Sequence, residues 1–185
     1  HAGSTVISWS INARRISEKD EAQTASIEER IQAAAKVADA GYKVGFHFDP
    51  LVYFEGWEDE YRDTIKLIFE SISPEDIAWV SVSSLRYKKE MQEIMIERFP
   101  ESSIPYGEQF LAKDGKRRYI QPIRAKMIDF VWKELKNVYE KMPVYMCMES
   151  STLWKQISGG SPIKDAELTE VFSRRGKLPV IQNTL

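Results

Sequence analysis

His47, Asp49 and Glu55 are the densest group of chemically able side chains in this sequence. They lie in the stretch from Ala40 to Trp57, AGYKVGFHFDPLVYFEGW. Val44, Phe46 and Phe48 alternate there with Gly45, His47 and Asp49, the period of a strand with one apolar face. His47 and Asp49 therefore share the other face. Gly41 is expected to stop a helix before the strand, Pro50 to end its pairing, and Trp57 to open the next helix. Side chains at the carboxyl end of a strand in a helix–strand–helix run occupy the place where α/β folds hold ligands. One chemistry open to such a trio is metal-dependent hydrolysis, although the only other histidine is His1.

Further candidates end the neighbouring strands. Ser10 and Asn12 close a run that begins at Val6, Arg86 follows an apolar run from Ile77, and Cys147 and Glu149 follow Val144. A different feature is the basic run Lys113, Lys116, Arg117, Arg118 and Tyr119, followed by Arg124 and Lys126, against one acid, Asp114. Asp114-Gly115 is a hairpin turn signal. A basic ribbon suits phosphate contact, and it equally suits a charged edge that deters strand pairing.

The elements that must position these residues follow from periodicity. Strands are expected at Val6–Ile11, Lys43–Asp49, Ile77–Ser83 and Val144–Met148. Ser26 and Glu29 form a capping box for a helix to Ala40, with Ile27, Ile31, Ala34, Ala35 and Ala38 as its stripe. Helices are also expected over Trp57–Ser71, Lys88–Arg98, Ile123–Tyr139 and Ser151–Ile157, with a hairpin at about 104–121. Strands alternating with helices imply a mostly parallel sheet with right-handed crossovers.

The chain has 185 residues, 43% hydrophobic and 29% charged, in keeping with one globular domain. No apolar run reaches membrane-span length, so no membrane partner is expected. A net charge of −2 gives no global attraction to nucleic acid, so any such contact must be local. One cysteine forbids an internal disulfide and fits a reducing cytoplasm. The lack of an initiator Met before the first strand suggests a fragment that begins inside a larger protein.

Several short segments resemble the later part of spore photoproduct lyase-type radical S-adenosylmethionine proteins. They are Ser8-Trp9-Ser10-Ile11-Asn12, Thr24-Ala25-Ser26 with Glu28-Glu29-Arg30, the Ala40–Trp57 stretch, Glu97-Arg98-Phe99-Pro100, and Val144-Tyr145-Met146-Cys147-Met148-Glu149-Ser150. The likeness runs from His1 to about Trp154, and it favours a lyase-like branch over the archetypal lyase. It implies the carboxyl-terminal half, residues 1–157, of an open, partial TIM-like (β/α)6 barrel with an inserted β-hairpin. Residues 158–185 would be a tail. The missing amino-terminal half would be a partner.

The resemblance also implies cofactors: S-adenosylmethionine and a [4Fe–4S] cluster on three clustered cysteines. This chain has only Cys147, so the cluster ligands would lie elsewhere and the isolated chain is expected to be inactive. The implied chemistry is hydrogen abstraction by a 5′-deoxyadenosyl radical, used by the archetype to split a thymine–thymine crosslink in DNA. Ser10 matches a cofactor-contacting serine; the alternative is a strand-end serine satisfied by backbone. Asn12 beside it and Asp49, where the archetype has a small apolar residue, are further candidates for the cofactor. Arg86 aligns with a family arginine and would meet substrate. So would Lys116, Arg117, Arg118 and Tyr119, with Tyr119 stacking on an exposed base, although the archetype's Arg-Tyr tip is replaced here by Lys-Asp-Gly-Lys. A metal-dependent barrel hydrolase built on His47, Asp49 and Glu55, and a non-catalytic nucleic-acid-binding module, are the competing readings.

Overall fold

The computed structural model describes residues 5–21 and 23–160. In chain order the elements are β1 (Val6–Ser10), α1 (Arg14–Lys19), α2 (Ile27–Asp39), β2 (Lys43–Leu51), α3 (Trp57–Ser71), β3 (Ile77–Ser84), β4 (Arg86–Lys88), α4 (Met91–Arg98), β5 (Gln109–Leu111), β6 (Lys116–Tyr119), α5 (Gln121–Val138), β7 (Val144–Met146) and α6 (Ser151–Ser158). The expected tail, 158–185, lies outside the described residues from 161 onward, and its first residue, Ser158, closes α6.

Four parallel strands form one sheet in the order β1-β2-β3-β7. The period-two pattern divides its faces. Val44, Phe46, Phe48, Val80, Val82, Val144 and Met146 enter the main core. There they meet Ile31 and Ala34 of α2, Ile65 and Ile68 of α3, and Met127, Ile128 and Val131 of α5. The Ser26–Glu29 capping box starts α2, with Glu29 N–H donating to Ser26 Oγ at 3.2 Å and Ser26 N–H to Glu29 Oε2 at 2.8 Å. Two orphan donors of the first turn are thereby satisfied.

The strand β2 runs two residues past its expected end. Pairing shifts register between Phe48 and Leu51, and Leu85 N–H donates to Leu51 O at 2.9 Å. Pro50 has no N–H to offer, and it sits at the irregularity where the ladder asks for none.

A second, antiparallel sheet has the order β4-β6-β5. It contains the expected hairpin, shortened to Gln109–Tyr119, with Gly115 at φ +76° in the turn. Residues Ile104–Tyr106 form a single 3-10 turn instead of strand. Arg86–Lys88 adds a third strand, so the expected helix from Lys88 starts only at Met91. Among the described residues, no helix is long and apolar enough to cross a membrane.

Candidate functional site

The face of the parallel sheet opposite the helices is polar. Register places Ser10, His47, Ser81 and Tyr145 in one row across all four strands, with Ser8, Gly45 and Trp79 in the row before it. His47 is held from both sides: Nδ1 lies 2.6 Å from Ser81 Oγ and Nε2 lies 3.0 Å from Ser8 Oγ. A neutral imidazole donates from one nitrogen and accepts at the other, so two hydroxyls satisfy it completely. Burial lowers the His47 pKa, partly offset by the Asp49 charge. Tyr145 stands opposite Ser81 in the register, and burial raises its pKa. The hydrogen-bonded belt thus spans Ser8, His47 and Ser81, with Tyr145 beside it.

Asp49, Ser83 and Cys147 lie two residues further along, at the carboxyl ends of the strands. Arg86 Nη1 donates to Ser83 Oγ at 2.9 Å. Burial, reinforced by Asp49 and opposed by Arg86, pushes the Cys147 pKa up. Cys147 stays a thiol at neutral pH, without the thiolate character of a reactive cysteine. The rim therefore offers a carboxylate, a guanidinium, a thiol and, on β1, the exposed Ser10 hydroxyl, which makes no hydrogen bond among the described residues.

The backbone around Ser10 and Asp49 is pinned from beneath. Arg30 reaches from α2 to donate to Ser10 O (3.1 Å), Ala25 O (2.8 Å) and Thr24 Oγ1 (2.6 Å), and pairs with Glu21 at 2.7 Å. Asn12, read from sequence as a cofactor contact, is 3% exposed. Its amide donates to Glu21 Oε1 at 3.1 Å and Pro50 O at 3.3 Å, and its Oδ1 accepts from Tyr61 OH at 2.7 Å. Its donors and acceptor are spent inside the protein, so it ties the ends of β1 and β2 together.

In the small sheet, alternation separates the basic residues. Arg86 pairs opposite Arg118 and Lys88 opposite Lys116, whereas Arg117 pairs opposite Tyr87. Tyr87 and Tyr119 face the protein and are 7% and 1% exposed. Tyr119 OH accepts from Tyr53 N–H at 3.1 Å, and its ring packs against Tyr53. The expectation that Tyr119 stacks on a base is corrected: the ring is core, because β6 turns every second side chain inward. Glu149 is likewise engaged, accepting from Arg124 Nη1 at 2.6 Å and Ser84 Oγ at 3.1 Å, with its side chain 1% exposed.

Among the described residues, no three His, Cys, Asp or Glu side chains group as metal ligands. Glu55 is exposed, and both His47 nitrogens are occupied by serines. The sequence reading passed over Ser8, Ser81, Ser83 and Tyr145. Their signal was legible: Ser8/Ser10 and Ser81/Ser83 repeat at period two.

A family model described as spore photoproduct lyase matches residues 1–146. The chain belongs to the spore photoproduct lyase family. Its curated relatives include the spore photoproduct lyases of Bacillus subtilis (32% identical over 122 residues, 64% of this chain) and Clostridium acetobutylicum (28% over 109 residues, 59% of this chain). The chain spans only about a third of these relatives, 34% and 32% of their lengths. A solved spore photoproduct lyase variant with dinucleoside spore photoproduct superposes with a TM-score of 0.70 at 26% identity, over 78% of this chain and 46% of that one. Another, with bound AdoMet and the same dinucleoside, gives 0.68 at 26% identity, over 78% and 45%. The parallel α/β sheet is thus the family's own.

Proposed function

We propose that this chain forms part of a radical S-adenosylmethionine enzyme that repairs a photoproduct in DNA, as the second half of a (β/α)6 partial barrel. The observation that carries the reading is the polar face itself. A sheet with helices on one side and hydroxyls, an imidazole, a carboxylate and a guanidinium on the other is the lining of a site. Two structural relatives carry dinucleoside spore photoproduct, one of them with AdoMet.

The rim fits the cofactor's polar groups. Ser10 would meet a ribose or carboxylate oxygen, and Asp49 would accept from ribose hydroxyls or the adenine amine. Arg86 stands across Cys147 from Asp49 and would hold an anionic group of the substrate. Bound S-adenosylmethionine supplies hydrogen-abstracting radical chemistry. What this chain contributes is binding and orientation: Arg30 and Asn12 fix the strand ends, and the His47 belt supports the floor. A cluster on three thiolates does not fit this chain, which has one cysteine. The chain alone therefore binds and does not turn over.

Titration of the chain with S-adenosylmethionine, followed by amide NMR, tests the reading. Saturable shifts at Ser10, His47 and Asp49 are expected. Ser10→Ala and Asp49→Ala should each weaken binding by roughly 1–3 kcal/mol where a polar partner is left unpaired. Shifts confined to other surfaces would remove the cofactor from this face.

A further inference from the structure

One carboxylate links the two strand ends that carry Ser10 and Asp49. Glu21 lies in the loop between α1 and α2. Its Oε1 accepts from the Asn12 amide at 3.1 Å, and its Oε2 pairs with Arg30 at 2.7 Å. Each arm ends on main chain at the rim. Arg30 donates to Ser10 O at 3.1 Å, and Asn12 donates to Pro50 O, next to Asp49, at 3.3 Å. The sheet does not set this spacing by itself. The β1–β2 register stops at Ser10 and His47, and the β2–β3 register skips from Phe48 to Leu51. Asp49 and Pro50 thus have no partner in either register. Nor does the loop hold itself. Gln23 takes φ +66°, a left-handed value that is uncommon outside glycine. Arg30 fixes the loop there by donating to Ala25 O at 2.8 Å and to Thr24 Oγ1 at 2.6 Å.

We propose that Glu21 is a positioning residue: it sets the spacing between Ser10 and Asp49, and hence the fit of the cofactor, without touching it. The inference rests on the reading that both residues contact S-adenosylmethionine. Two groups that share one ligand bind it well only when their separation matches it to within about 0.5 Å. Glu21 reaches them through two buried relays, Asn12 and Arg30, which are 3% and 9% exposed. A carboxylate suits this junction because each of its oxygens can accept from one arm. A glutamine there offers one oxygen and one amide donor, so it serves one arm and turns a donor on the other. The influence of Glu21 on the ligand therefore passes through Ser10 and Asp49.

The test is a double-mutant cycle on the affinity of the full chain for S-adenosylmethionine, measured by titration calorimetry. Melting temperatures will show that each variant folds. Glu21→Gln should weaken binding about 10-fold. In the Asp49→Ala background the same change should cost at least about twofold less, because the contact it positions is gone. Arg30→Lys keeps a charge beside Glu21 but loses the fork that reaches Ser10 O. Its penalty should shrink in the Ser10→Ala background, and it decides the matter alone should Glu21→Gln not fold. Equal penalties in every background would overturn the positioning role and leave the cofactor reading intact, since a general loosening of the fold adds to the loss of either contact. Full affinity in both Glu21→Gln and Arg30→Lys would overturn it too. A parent chain that does not bind S-adenosylmethionine would overturn the positioning role and the cofactor reading together.

Discussion

The Tyr61 hydroxyl donates to Asn12 Oδ1 at 2.7 Å and at the same time accepts from Val52 N–H at 2.8 Å. Three segments are joined through one oxygen: the chain leaving β1, the chain leaving β2, and α3. Tyr61 is fully buried, and burial drives its pKa far above the usual phenol range. Tyr61→Phe would leave Val52 N–H without a partner and take one of its two donors from Asn12 Oδ1, which keeps Ala13 N–H at 3.0 Å. A loss of about 1–3 kcal/mol is expected in urea unfolding, because the buried Val52 N–H carries its full desolvation penalty. A variant as stable as the parent would show that neither group depends on the hydroxyl.

Glu149 and Arg124 make the most buried ion pair among the described residues, with side chains 1% and 12% exposed. Glu149→Ala would strand the guanidinium and remove the acceptor for Ser84. The expected cost is about 3–5 kcal/mol, the range for breaking one side of a buried pair. Glu149→Gln keeps one acceptor oxygen for Arg124, and its amide can donate to Ser84 Oγ, so it should cost clearly less. Equal losses for the two variants would mean that the carboxylate charge, and not space or neutral hydrogen bonding, governs this position.

Most of the parallel sheet was legible because its signals are local. The Val44–Phe48 alternation, the Ser26 capping box and the Trp57–Ser71 stripe each fix one element within a few turns of chain. The helix α3 has the expected bounds, and the His47–Asp49 shared face follows from period two. What escaped was set by distant pairing. Arg86–Lys88 is only three residues long and becomes a strand because β6 lies beside it. Tyr119 is inward-facing because β4 and β5 fix the register of β6, so its burial could not be read from its basic neighbours. Asn12 was visible as a polar residue at a strand end, but its partners Glu21, Pro50 and Tyr61 come from three separate segments.

Gly45 tests the floor of the polar face. A Cβ added there would lie 2.8 Å from Trp79 Nε1 and 3.2 Å from Ser8 Cβ. The indole is largely buried and cannot swing away freely. Gly45→Ala should therefore push Trp79 or Ser8 aside and destabilise the fold by about 1–3 kcal/mol, the usual penalty for overpacking. A shift in tryptophan fluorescence should accompany the loss. Unchanged stability and emission would place the indole elsewhere.

His47 couples the stability of the fold to acid. In the unfolded chain an imidazole takes up its proton near pH 6.5. In the folded protein burial lowers that value, with Asp49 opposing, while Ser8 and Ser81 fill both ring nitrogens. Between the two values the unfolded state binds more protons, so stability rises with pH there. The contribution is fully present above about pH 6.5 and is lost as pH falls through the folded value. Protonation also turns both nitrogens into donors, which ends the accepting half of the belt. His47→Gln can still bond two hydroxyls but does not titrate. Urea midpoints for parent and variant should diverge above about pH 6.5 and converge as the pH drops below it. Because His47 is only half-buried, the effect should be modest. Parallel curves across that range would show that the imidazole is not held neutral by its site.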